Sequence, residues 1–166
     1  MQFKTFVAVG ALAALAVTGG AAAAAAAQAA GPSAAPLTLT AQLTALQFFT
    51  STGPITGLPT APLVPGDRIV GQDRILQGGR PAGHDNEACT VSFNGDVLCQ
   101  DIMILDGQGD LQASWTVRWP DTGVPASFDG IIEGGTGSFR AAHGWFHAQA
   151  LPGGGVKITA TINGGG

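Results

Sequence analysis

The sequence predicts an all-β domain, a sandwich or barrel of short strands, and three observations carry that expectation. From Gly66 onward, strand-sized runs alternate with turn signals, and no interval leaves room for a packed helix. The last run sets Val156, Ile158, Ala160 and Ile162 against Lys157, Thr159 and Thr161, the period-two alternation of a strand with one wet face. The stretch Gly130 to Gly144, GIIEGGTGSFRAAHG, interrupts two strand-like runs with adjacent glycines, a threonine and a third glycine. Backbone-permissive positions of that kind imply a tight hairpin where side chains would clash.

Residues 1–30 read as an export signal. Lys4 supplies the positive start, Phe6 to Val17 the apolar centre, and Ala21 to Ala30 the small-residue cleavage zone. The apolar stretch is too short to cross ~30 Å of hydrocarbon. Ala27-Gln28-Ala29 is the best cleavage match, cleavage falls after Ala29 or Ala30, and the zone holds no cysteine for a lipid anchor. The expected location is therefore secreted, with no membrane attachment after removal. Residues 31–36 form a short flexible lead, 37–163 a single domain, and 164–166 a glycine tail.

The first strand starts in the alternation Leu37-Thr38-Leu39-Thr40-Ala41 and runs to about Phe49; its threonines and missing caps favour strand over helix. Ser51 to Pro65 carries four prolines and two glycines and reads as an extended loop, placed to lie across a barrel mouth. The following strands are Asp67 to Leu76, Glu87 to Phe93, Val97 to Leu105, Leu111 to Trp119, Ala126 to Glu133, Phe139 to Ala150 and Val156 to Ile162. Eight strands can close a barrel whose interior is either filled or holds one small ligand.

The two cysteines, Cys89 and Cys99, flank TVSFNGDVL, a hairpin-like segment around Asn94-Gly95. A two-residue loop would pair Cys89 with Gln100; a three-residue loop, Phe93-Asn94-Gly95, pairs it with Cys99. In an exported chain a structural disulfide predicts the longer loop. Metal ligation by this pair would need two further ligands, and only His84 is convenient.

Net charge is −4 and the basic residues are scattered, so the footprint of a nucleic-acid or anionic-membrane binder is missing. Small neutral or apolar partners remain. There is no nucleophile-elbow serine, phosphate loop or zinc-type spacing, and no tyrosine, so no cofactor or metal is expected. An enzyme built this way would act by shape and a few polar groups.

The Gly130 to Gly144 stretch resembles the signature of the allene oxide cyclase and dirigent-protein barrels, in which a strand ends in GG-T/S-G, an aromatic follows, and the next strand carries small residues ending in glycine. GDRIVGQDRILQGGRPAGHDNEACTV, Gly66 to Val91, is similar to the first barrel hairpin of allene oxide cyclases. The two stretches occur in the family's order, and the resemblance covers roughly Gly66 to Ile162. It implies a closed antiparallel eight-stranded β-barrel, and a homotrimer as a candidate assembly. It also implies a small-molecule isomerase or cyclase that folds a hydrophobic substrate in its interior, or else a non-catalytic dirigent-type binding barrel.

Asp73, within Gln72-Asp73-Arg74-Ile75-Leu76, occupies the position of the allene oxide cyclase asparagine that helps hold a water against the substrate epoxide. The resemblance therefore makes Asp73 the candidate catalytic residue, with an acid in place of an amide. A carboxyl inside an apolar barrel would have a raised pKa and could serve as general acid or base. The competing reading pairs Asp73 with Arg74, Arg118 or Arg140. Cys89 matches the cysteine of the family's Gly-x-Cys strand. The glutamate of the family's first strand has no counterpart, since only Gln42 and Gln47 are available there, and this speaks against allene oxide cyclisation itself.

Three further residues are candidates for substrate binding: Trp115, His143 and Trp145. Trp115, Val117 and Trp119 share one strand face and could form an aromatic wall or plain core. His143 and His147 share a face with Trp145, on which they could line the ends of a pocket or stand half-exposed outside. Four residues of strand span ~13 Å, too far for both histidines to bind one metal. Asp129 and Glu133 share a face that is expected to be surface.

Overall fold

The computed structural model describes residues 36–55, 57–120 and 124–164, and the expected export signal lies outside them. Nine strands follow one another: β1 Leu37–Thr50, β2 Gly53–Ile55, β3 Arg68–Gln77, β4 Arg80–Val91, β5 Asp96–Leu105, β6 Gly109–Arg118, β7 Ser127–Gly135, β8 His143–Ala150 and β9 Val156–Asn163. Strands β1 and β3 to β9 pair antiparallel in order, and β1 pairs β9 to close an eight-stranded barrel. The short β2 lies outside this ring, on the end of β1.

β1 reaches both neighbours by length and by a bulge. Leu37 to Ala41 pair with β9, Thr40 to Phe49 pair with β3, and the register slips between Leu43 and Ala45. The extra residue switches the inward phase. Leu39 and Ala41 are buried before the bulge and Phe48 after it, while Leu43 is left 57 % exposed.

Three element boundaries differ from the sequence expectation. The loop after β1 contains β2, whose Pro54 is tolerated because the strand is an edge. β4 begins at Arg80 rather than Glu87, because Gly78 and Gly79 both take positive φ and make a turn tight enough to pair Gln77 with Arg80. β8 begins at His143 rather than Phe139. Gly137–Phe139 forms a single 3₁₀ turn, and Ala141 takes a left-handed conformation at φ 61°.

Two apolar clusters fill the barrel. One gathers Leu39, Ile75, Met103, Leu105, Leu111 and Phe146, with their neighbours. The other gathers Phe48, Ile69, Cys89, Val91, Val97 and Cys99, and the segment after β1 packs Ile55 and Leu63 against it. Trp115 packs against both. Cys89 and Cys99 are register partners joined by a disulfide, as the three-residue loop requires.

Gly130 shapes the interior next to Trp115. It is the cross-strand partner of both Trp115 and Phe146, and a Cβ there would run into the Phe146 ring and the Ser114 carbonyl. Its absence lets the two rings meet edge to face at 5.9 Å.

Candidate functional site

Between the two apolar clusters the inner wall turns acidic. Period-two alternation fixes which side chains face inward. On β3, Ile69, Gly71 and Ile75 are buried, so Asp73 belongs to the same face. On β4, the buried Cys89 and Val91 set the phase that brings Asp85 and Glu87 inside. On β5, Val97, Cys99, Met103 and Leu105 are buried, and Asp101 lies among them, only 6 % exposed. The cross-strand register then sets Asp73 opposite Asp85, and Glu87 between Gly71 and Asp101. A Cβ on Gly71 would come within 2.8 Å of Glu87 Cγ, so the missing side chain is what seats Glu87.

These four carboxyls face an inner cavity of about 50 Å³ whose other wall is apolar, including Met103, Trp115, Phe128, Phe146 and Ile158. It adjoins a wider chamber of about 200 Å³, which Asp73 and Glu87 share with Trp115, Trp119 and Phe128. Leu43 at the β1 bulge, Val124 and Pro125 before β7, and Leu151, Gly154 and Gly155 before β9 frame that chamber. Trp115 stacks on Phe128 at 5.2 Å, and Phe146 meets both rings edge-on, so the aromatic wall is a single packed unit.

The acids find few partners. Asp85 Oδ1 accepts a hydrogen bond from the Asp73 backbone N–H at 2.8 Å. Asp73 Oδ1 and Asp101 Oδ1 are buried without a partner. Every arginine, lysine and histidine among the described residues is exposed. Burial pushes Asp73 up to about 7, with the neighbouring Asp85 adding to the rise. Burial likewise lifts Glu87 to about 7, helped by Asp73 and Asp85. Asp85 is raised by burial and partly held down by its bond from Asp73, and Asp101 rises furthest, through burial and then the three other acids. Four like charges in a dry wall cannot all ionise, so at neutral pH the cluster holds protons that belong to the group rather than to one residue.

The structure brings together two of the residues singled out in the sequence. Asp73 faces inward and makes no ion pair among the described residues; Arg118 pairs instead with Asp96 at 2.9 Å. Trp115 lies on the cavity wall. His143 and Trp145 project from the outer face, Trp145 being 53 % exposed, and neither lines the chamber. The physical reason is phase: Phe146 and Ala148 are buried on β8, which turns residues 143, 145 and 147 outward. Asp129 and Glu133 are also outside, the first 2.7 Å from His147 Nδ1 and the second accepting a hydrogen bond from Ser114 at 2.8 Å. They border an open outer concavity of about 800 Å³, within which Ser114 and Glu133 are hydrogen-bonded to each other.

Asp85, Glu87 and Asp101 were missed as site residues, although a signal was present. Each stands an even number of positions from a cysteine, and a disulfide between inward-facing cysteines carries Asp85, Glu87 and Asp101 inside with it.

No family model and no curated protein matches the sequence. Among solved structures, pyocyanin demethylase superposes with a TM-score of 0.62 at 20 % identity, covering 77 % of this chain and 99 % of that one. The pterocarpan synthase dirigent protein PsPTS1 gives 0.53 at 16 % identity over 76 % of this chain and 90 % of that one. The dirigent protein GePTS1, also a pterocarpan synthase, gives 0.53 at 16 % over 76 % and 80 %. The chain therefore shares its barrel fold with these proteins.

Proposed function

We propose that this protein is a secreted small-molecule isomerase, in which the barrel holds a flexible hydrophobic substrate against the aromatic wall and Asp73 moves a proton on it. The observation that carries this reading is the buried, partnerless Oδ1 of Asp73 on the wall of a largely apolar chamber. A carboxyl raised to about 7 can both donate and accept a proton near neutrality. The acids behind it take up or return the balance, so a proton leaves one substrate atom and arrives at another with no co-reactant consumed. Confinement in one folded conformer removes part of the barrier by itself. Two kinds of fold neighbour, named for demethylating pyocyanin and for pterocarpan synthesis, agree with an interior that handles organic molecules. Export is supported by the residues of the 1–30 segment and by the disulfide between Cys89 and Cys99.

Incubating the mature protein with a library of apolar small molecules, followed by chromatography and mass spectrometry, tests the reading. Isomerisation changes retention time at constant mass. Asp73→Asn should lower turnover by at least about 100-fold while the molecule still binds. A ligand that is retained by the barrel and always recovered unaltered would instead favour the dirigent-type or purely binding role.

A further inference from the structure

The acid wall lacks a counter-charge, and the geometry of the opposite wall indicates what would supply it. Asp73, Asp85, Glu87 and Asp101 converge from three adjacent strands on one small cavity. Among the described residues no other titratable group lines it; β1 and β6 to β9 contribute only apolar and aromatic side chains. Asp101, 6 % exposed, lines this cavity, and its buried Oδ1 has no hydrogen-bond partner among the described residues. A buried carboxyl of that kind is costly unless something completes it, and every described cationic side chain is on the outside of the barrel. Across the cavity stand the faces and edges of Trp115, Phe128 and Phe146, ring systems whose electrons attract positive charge. Carboxyl oxygens on one side and aromatic rings on the other make a cage for an organic cation, with the adjoining chamber of about 200 Å³ for its apolar body.

We infer that the substrate of this barrel is an apolar molecule bearing one positively charged, alkylated nitrogen, which seats that nitrogen between Asp101 and Glu87 and the Trp115, Phe128 and Phe146 rings. The inference rests on the proposed role of the cavity as a substrate site and narrows it from hydrophobic ligands in general to cations. Entry of the cation favours ionised carboxylates, so binding releases a proton from the cluster to solvent. The covalent structure of the ligand does not change in this step.

Two probes of nearly equal shape isolate the charge: phenyltrimethylammonium and its neutral isostere tert-butylbenzene. Binding to the full mature protein is followed by tryptophan fluorescence and by calorimetry in buffers of different protonation enthalpy. The expected result at pH 8 is at least tenfold tighter binding of the ammonium, with net proton release, and a preference that shrinks as the pH is lowered to 5. Asp101→Asn should cut the preference several-fold, and Glu87→Gln serves the same purpose should the first variant fail to fold. Equal or tighter binding of tert-butylbenzene at pH 8 would overturn the cation assignment and leave the cavity as a site for neutral molecules. If neither probe perturbs the fluorescence or gives heat, the cation assignment falls together with the substrate-site reading on which it rests.

Discussion

The backbone N–H of Asp73 donates a 2.8 Å hydrogen bond to the carboxylate of Asp85, its partner across β3 and β4. The bond offsets part of the rise that burial imposes on Asp85, while Asp73, raised by burial and by Asp85 beside it, has no such donor on its Oδ1. The pair can share a proton, and Glu87 and Asp101 extend that sharing across β4 and β5.

Stability should therefore fall as the pH rises. The folded pKa values lie above those of the unfolded chain, near 4, and reach about 7 for Asp73 and Glu87. Between these limits the folded protein keeps protons that the unfolded chain has lost. Each such proton tilts the unfolding free energy downward by about 1.4 kcal/mol per pH unit. Thermal melts should give the highest midpoint near pH 4 to 5 and a steady decline through pH 7, with Asp101 extending the decline to higher pH. A midpoint that rises from pH 5 to pH 8 would contradict the burial of these acids.

Asp101→Asn keeps the shape of the side chain and removes the burden of ionisation. At pH 8 it should raise stability by at least about 1 kcal/mol and flatten the pH profile, because the folded chain no longer has to hold a proton on a buried carboxyl that the unfolded chain ionises. Chemical denaturation at pH 5 and pH 8 checks both effects.

Gly130→Ala places a methyl group where the Phe146 ring and the Ser114 carbonyl already lie. Overpacking of this kind costs typically about 1–3 kcal/mol. The displaced Phe146 should also loosen the Trp115 stack, so a red-shifted tryptophan emission is expected alongside the lower midpoint.

Reducing the Cys89–Cys99 disulfide, with a sequence separation of 10 residues, frees a short loop, for which chain entropy predicts a loss of about 2–3 kcal/mol. A melt with and without reductant measures it. A larger effect on ligand binding than on stability would show that Cys99, which lines the chamber, also shapes it.

Trp145→Ala and His143→Ala should leave ligand binding in the chamber within about twofold of the unaltered protein, since both side chains lie outside the barrel. Trp115→Ala should abolish most of it, because that ring touches both cavities and both apolar clusters. Fluorescence titration separates the two outcomes.

What the sequence determined by itself was local and periodic. Turn chemistry marked a hairpin around Asn94-Gly95, alternation marked the strands, and a disulfide between Cys89 and Cys99 selected the three-residue loop Phe93-Asn94-Gly95. Those features depend on neighbours along the chain. The resemblance of two short stretches added the barrel closure, and the same likeness made Asp73 the candidate. Orientation was not legible at Asp73, and His143 and Trp145 were put forward for a pocket although they belong to the outer face. A strand reads equally well with either face inward until its partners are fixed, and only the closed sheet decides which face meets the core. The tertiary structure alone decided that Asp85, Glu87 and Asp101, scattered over two strands, meet Asp73 in one cavity. It also decided that the bulge in β1 and the bare backbone of Gly71 and Gly130 leave room for them and for the rings opposite. Carboxyls that would be ordinary surface groups in an open sheet acquire raised pKa values, and with them a candidate chemistry, only because the barrel removes their water.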